Sequence, residues 1–594
     1  MKKAFCAVLC LAGLLVLSAC RGQRAPETVL VFLEETRGCT VENNGQRVAV
    51  GEDAVFTLEL ERGWSLADTD YAGVFDISVS DRTATLTLRE VCYPARVHLR
   101  LASRYCTVTY AANGGEPLRG GALQESKTYD LTHHARPNTA LGIDLFVREG
   151  YTLTGWNTRS DGAGDAVGLG SRVSVPDGAL TLYAQWAQWS DGTDFTWEQT
   201  EDGAAVTGYL GADDVVVIPE RLGGQRVTSV RAGAFDGCAA AEVIFPPTME
   251  EIAPGAFRDC AVRAVTLFDS IRSVGDASFE SCSSLKTLRI NALEPPFGYT
   301  WRKESCYADK IDRLILSQGR KRAVFYGGCS MWYNLDGIQA QMALGEGCDV
   351  VNLGLNGTVN ALVQMQILGA FLGEGDILIH TPELSSRQQL LLRTDMEERD
   401  DMLWCGLENN YDLFALVDLT TVEGALDSLC HYLSQKNARA TYAQYFQDEE
   451  DRPYLDPFGC IPFFRSGTEE DLPDRVYLDP AFIDQGAMER LEGYYAWFQA
   501  QGARVYVSYA CVNLDAVPEG QRENAALLDG LFREAVEGME GVTLISSLED
   551  YLYQNSDFFD TNYHLVSQAA KENTALWLRD LRAQMERDGI WEGV

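Results

Sequence analysis

A 22-residue register in the middle of this chain limits most strongly what it can fold into. Phe235, Phe257 and Phe279 stand 22 apart, Cys238, Cys260 and Cys282 keep the same interval, and so do Val230, Ile252 and Val274. A period of this size specifies a solenoid, because one unit cannot bury its apolar edge alone and must stack on the next. The register therefore predicts that Phe257 is buried between neighbouring turns. Identical placement of the three cysteines predicts a buried ladder of small apolar side chains rather than metal or redox chemistry. Val215 to Pro219 reads as the entry cap.

The repeated frame of a small residue and phenylalanine, then cysteine, then a short strand resembles the BspA-like leucine-rich repeats of bacterial surface antigens, over about 203 to 293. Contacts with other surface proteins through the repeats are one expectation, although about three turns offer a small concave face for a protein receptor. Upstream, Val108 to Gly115, Glu149 to Trp156 and Leu182 to Trp186 resemble the internalin-type B-repeat, over about 105 to 187. Asn113 and Gly114 are a hairpin turn signal. Trp156 and Trp186 supply bulky core from facing strands. Before this module, 27 to 104 alternates short apolar runs with turn signals, Val29–Leu33, Ala54–Leu60, Phe75–Val79, Ala84–Leu88 and Ala95–Leu101, which predicts a small β-sandwich without chemistry of its own. Cys39 and Cys92 are candidates for a bridge within it.

The first twenty residues read as a targeting segment. Lys2 and Lys3 precede an apolar run from Phe5 to Leu17, and the run ends in Leu17, Ser18, Ala19 and Cys20. This layout is that of a secretory signal. Its end resembles the lipobox of bacterial lipoproteins, which implies lipidation of Cys20 and a lipid anchor on the outer face of a membrane. At 594 residues the chain exceeds one core, and its 46% apolar content supports folded domains. A formal charge of −37 disfavours nucleic acid and anionic lipid faces as partners. Of sixteen cysteines, Cys6 and Cys10 leave with the signal and Cys20 is the lipidation site, so an odd number remains and a complete disulfide framework is not expected. No CxxC pair suggests a metal site, and no cofactor is implied.

After about residue 305 the pattern changes to strands alternating with helices. Apolar stretches at Arg322–Tyr326, Asp349–Leu353, Asp376–His380, Arg504–Ser508 and Val542–Ile545 are separated by helix-compatible segments, among them Glu489–Gln501. This alternation predicts a doubly wound α/β domain with its site at the carboxyl ends of the strands. The whole is expected to be multidomain: β-rich modules, a short solenoid, then an α/β/α sandwich over 305 to 594.

The strand ends carry groups suited to acyl transfer. Ser330 lies on the turn after the first strand; Gly354, Asn356 and Gly357 follow the second; Asp560 and His564 precede a final amphipathic helix. This order of serine, glycine, a polar third block and a late aspartate with histidine resembles the SGNH hydrolase family, particularly members that act on acylated envelope polymers. The resemblance implies that Ser330 is the nucleophile, His564 the base, Asp560 its orienting carboxylate, and Gly357 with Asn356 or Gly354 the oxyanion donors. The chain departs from the family in three places: Cys329 stands where the family has aspartate, Thr381, Pro382 and Glu383 fill the third block in place of asparagine, and Asp560 lies four residues before the histidine rather than three. His380 is a rival base, and His431 reads as a structural residue of the helix-like stretch Val422–Ser434. Two functions stay open: an esterase or O-acyltransferase working on acylated cell-envelope polysaccharide or another glycan, and a non-catalytic surface adhesin or scaffold.

Overall fold

The computed structural model describes residues 28 to 590 apart from several segments, the longer being 67–74, 137–144, 294–305, 385–395, 439–457 and, near the site, 356–359; Cys20 and Cys92 also lie outside the described residues. Among those described, no helix is long and apolar enough to cross a membrane.

The amino-terminal module is a small sandwich. Strands 46–49, 28–34 and 95–98 form one sheet, and 39–41, 52–60, 83–91 and 75–80 form another. Val31 and Leu33 from the first meet Phe56, Leu58 and Leu86 from the second in one apolar core. Strict alternation along 52–60 points every second side chain inward.

In the next module a five-stranded sheet runs in the order 124–130, 105–111, 179–188, 151–157, 166–167. Asn113 and Gly114 both take positive φ, 43° and 90°, which is the turn their sequence signalled. Trp156 is buried against Tyr110, ring centroids 4.9 Å apart, and Trp186 donates its indole N–H to the Ala112 carbonyl at 3.0 Å.

The repeats form the expected solenoid. Parallel strands 215–217, 242–244, 264–268 and 287–291 line one side. Phe235, Phe257 and Phe279 stack in a column at 4.5 and 5.1 Å, with Phe257 fully buried. The cysteine ladder is more than apolar filling. Cys260 Sγ donates to the Phe235 carbonyl at 2.8 Å and Cys282 Sγ to the Phe257 carbonyl at 2.9 Å, so these two thiols each meet a carbonyl of the preceding turn, whereas Cys238, expected to be buried with them, is only partly so.

The carboxy-terminal domain begins with α1 (Cys306–Leu316), β1 (Arg322–Gly327), α2 (Cys329–Asn334), α3 (Gly337–Leu344), β2 (Asp349–Asn352), α4 (Ala361–Gly369) and β3 (Ile377–Thr381). It continues through α5 (Asp401–Leu407), α6 (Ala425–Ala438), α7 (Gln485–Ala500), β4 (Arg504–Val507), α8 (Ala525–Glu537), β5 (Val542–Leu544) and α9 (Ser567–Arg587). All five strands are parallel in the order β2-β1-β3-β4-β5. β1, β2 and β3 are buried along their whole length, as strands covered on both faces must be. The order reverses between β1 and β3, which places the crevice of such a sheet at their carboxyl ends.

The last three modules are joined by buried contacts. One apolar core runs from the repeats into the α/β domain. Ala292 N–H bonds the Leu169 carbonyl and Leu419 N–H the Lys286 carbonyl, both at 2.9 Å. Asp312 of α1 pairs with Arg136 at 2.7 Å and with Arg172, and all three side chains are nearly excluded from water.

Candidate active site

The site is built around the turn that ends β1. Two glycines make it possible. A Cβ on Gly327 would lie 2.7 Å from Thr381 Oγ1 and 2.9 Å from the Thr381 carbonyl, and one on Gly328 would lie 2.5 Å from Glu383 Oε1. The carboxyl group that follows β3 thus enters the space a side chain at 328 would fill.

Ser330 is completely buried. Its hydroxyl donates to Glu383 Oε1 at 2.6 Å and its backbone N–H donates to the same oxygen at 3.0 Å. Cys329 Sγ lies 3.7 Å from that oxygen. Glu383 Oε2, equally buried, has no hydrogen-bond partner.

His564 and Asp560 are brought together across the four-residue spacing, Nδ1 to Oδ1 at 2.8 Å. With Nδ1–H donated to the carboxylate, Nε2 is left as an acceptor, and it is buried without a partner. The imidazole stacks on the Tyr333 ring, centroids 3.6 Å apart and planes 14° from parallel. Burial pushes the imidazole below its ordinary value, against the opposing pull of Asp560, which favours the neutral ring a general base requires.

Two residues that sequence reasoning did not single out hold this loop against α2. Asn334 accepts the Leu565 N–H and donates to the Tyr563 carbonyl, each at 2.8 Å, so it clamps both neighbours of His564. Arg465 donates to the Leu565 carbonyl at 2.9 Å and also to the Tyr333 carbonyl. Neither has a local sequence signal, because each acts on partners at least a hundred residues away.

Other candidates are placed differently. The Gly354 N–H, expected as an oxyanion donor, is taken by Asn352 Oδ1 at 2.7 Å, and a Cβ there would lie 2.3 Å from the Trp332 backbone nitrogen. Gly354 therefore serves close packing of the β2 exit on α2, and the oxyanion role falls away. Asn356 and Gly357 lie outside the described residues. His380 is buried within β3 with Nδ1 2.6 Å from the Tyr495 hydroxyl, and burial pushes it down to about 3. It is a satisfied core histidine. The serine and imidazole expected to bond each other do not: the serine proton goes to Glu383. Among the described residues no group of three or more histidine, cysteine or acidic side chains could hold a metal ion.

Residues 106–185 match the model of the Listeria-Bacteroides repeat domain, and residues 221–297 match that of the BspA type leucine rich repeat region, in six copies. Two membrane proteins of Evansella cellulosilytica are similar in part: one is 47% identical over 49 residues, 8% of this chain and 7% of its own length. The other, named as Gly-rich, is 36% identical over 74 residues, 12% of this chain and 7% of its own. The chain thus spans a small fraction of either relative. A leucine rich repeat protein of T. pallidum aligns with 17% of this chain and 71% of its own at 20% identity, with a TM-score of 0.13. The chain is a multidomain protein carrying two repeat domains of the kind found in surface proteins, followed by a parallel α/β domain.

Proposed function

We propose that this protein is a cell-surface lipoprotein, anchored through Cys20, whose carboxy-terminal domain is an SGNH-type esterase or O-acyltransferase acting on acylated envelope glycans. The observation that carries the reading is the Asp560–His564 pair at 2.8 Å, its Nε2 buried without a partner and its ring stacked on Tyr333 of α2. A group on that turn attacks the ester carbonyl, its proton passes to Nε2, and Nε2 returns it to the leaving alcohol, while Asp560 holds the ring tautomer. The covalent acyl group then passes to water or to an acceptor hydroxyl. Ser330 is the residue that the family pattern nominates for the attack.

A second reading, a non-catalytic adhesin or scaffold, is favoured by one observation: Ser330 bonds Glu383 and not His564. Turnover of small acetyl esters by the full-length protein decides between them. Catalysis that disappears in His564→Ala supports the enzyme, and a folded protein without esterase activity or acyl adduct supports the scaffold.

A further inference from the structure

The backbone N–H of an attacking serine is a common donor to the oxyanion, and such donors stand about 2.7 to 3.1 Å from the place that oxygen will take. Glu383 Oε1 lies 3.0 Å from the Ser330 nitrogen and accepts its N–H, so a carboxyl oxygen of the chain itself stands where the ester carbonyl oxygen belongs. The same oxygen accepts the Ser330 hydroxyl at 2.6 Å. One side chain thus engages both protons that acyl transfer needs from this residue, while His564 Nε2 is buried without a partner.

The contact is not arranged as a structural one would be. Glu383 is 1% exposed, yet its Oε2 bonds nothing. A carboxyl group buried for stability would use both oxygens, because a bare polar atom away from water is costly. Among the described residues its hydrogen bonds all run through Oε1, to Ser330 and to the Cys329 thiol at 3.7 Å. Gly328 makes room for it, since a Cβ there would lie 2.5 Å from Oε1 and 3.0 Å from Oε2. Turning the side chain away therefore frees the hydroxyl and the N–H of Ser330 in one movement. The charge of Glu383 also adds to that of Asp560 in supporting protonation of His564, so serine, carboxyl group and imidazole share one site.

We propose that Glu383 is a built-in inhibitor of acyl transfer: it fills the oxyanion position on the Ser330 N–H and holds the Ser330 hydroxyl, and a substrate must displace it. The assignment rests on the acyl-transfer reading above, with Ser330 as the nucleophile. A carboxylate left in place would repel the negative charge that develops on the ester carbonyl oxygen, so the resting contact and the attack exclude each other. Displacement draws on binding energy from parts of the substrate remote from the ester. Small esters bring little of that energy and are turned over slowly, whereas an acylated glycan that fills the crevice is favoured. Once Oε1 has left, the ester oxygen takes the Ser330 N–H, and the freed hydroxyl gives its proton to Nε2 as it attacks.

The test is the rate at which an alkyl fluorophosphonate labels Ser330 in the full-length protein. In that reaction the serine oxygen bonds phosphorus, fluoride leaves, and the serine proton passes to Nε2. Glu383→Gln keeps the shape and removes the charge, and Glu383→Ala removes the carboxyl group. Each should label Ser330 at least about 10-fold faster than the unaltered protein, the scale of one hydrogen bond to a charged group. Adding His564→Ala to either should abolish the gain. A carboxyl group that supports the fold, or that accepts the serine proton for catalysis, predicts no gain or slower labelling. That result, in protein whose near-ultraviolet circular dichroism shows native packing, would overturn the inhibition and leave acyl transfer standing. Prolonged labelling of the unaltered protein needs no variant to fold. In crystals of that adduct the phosphoryl oxygen should take the Ser330 N–H and Glu383 should have left it; Glu383 still bonded to that N–H would overturn the proposal. No label on Ser330 in any of the natively packed proteins would overturn acyl transfer and the inhibition with it.

Discussion

The repeats and the α/β domain both bury cysteines, and they use them differently. In the solenoid the thiols of Cys260 and Cys282 meet the same kind of partner, a backbone carbonyl of the preceding turn. At the end of β1 Cys329 instead lies among side chains of α2 and the loop before α9, its sulfur 3.7 Å from the carboxyl group after β3. Regular placement marks a structural group whose partner is dictated by the repeat. The contrast also separates what substitution should damage: stability in the solenoid, turnover at the crevice.

The largest effect expected is therefore on rate. His564→Ala should lower ester turnover by about 1,000-fold or more, since the base serves both half-reactions. Its effect on the melting temperature should be small. Asp560→Ala should cost less, because the side chain is about a third exposed and its role is to orient the ring. Steady-state kinetics on acetyl esters check both. Equal and minor losses in the two variants would erase the distinction between crevice and solenoid.

Next comes the solenoid core. Phe257 is fully buried and stacked between Phe235 and Phe279, so Phe257→Ala should cost about 3 to 5 kcal/mol. The loss should spread to adjoining turns, because each turn is stabilised by its neighbours. Denaturant unfolding measures the energy, and hydrogen exchange along 225–291 measures the spread. A local change confined to one turn would mean that the repeats do not couple.

How much of this was legible before the structure depended on range. Phe235, Phe257 and Phe279 announced the solenoid through a period, and the five parallel strands announced the sheet through apolar runs, because both signals are local. Asn113 and Gly114 announced their turn for the same reason. The Asp560 and His564 pairing was also within reach, since four residues of one loop hold both groups. The rest of the site was not. Glu383 bonds Ser330 across 53 residues and Asn334 bonds Leu565 across 231, and no window of sequence contains both partners. Gly354 shows the converse error: a glycine at a strand exit fits either a donor of N–H or a close approach of backbone, and only the neighbouring Trp332 nitrogen tells which.

A smaller effect follows from pH. His380 is a core histidine pushed down to about 3 by burial, whereas the unfolded chain protonates it near 6.5. Between those values the unfolded state binds the extra proton. Its contribution to stability is therefore complete above about pH 6.5, declines as pH falls and is gone below about 3. From pH 7 to pH 5 the loss should be about 2 kcal/mol. Urea unfolding at the two pH values should show it, and His380→Gln should flatten the slope. An unchanged slope in that variant would assign the acid sensitivity to other groups.

The smallest effect sharpens the comparison of ladder and crevice most directly. Cys260→Ala removes one donor to the Phe235 carbonyl, which keeps the Cys238 N–H at 3.0 Å, and should cost about 0.5 to 1.5 kcal/mol. Cys260→Ser keeps a donor at nearly the same place and should cost less than Cys260→Ala. Neither should alter ester turnover. His564→Gln should behave in the opposite way, with a melting temperature close to that of the unaltered protein and a much slower ester turnover. Melting curves and turnover rates on the four proteins, counting the parent, place the ladder and the crevice on separate axes. If Cys260→Ser and His564→Gln both changed stability alone, His564 would be a structural group like those of the ladder.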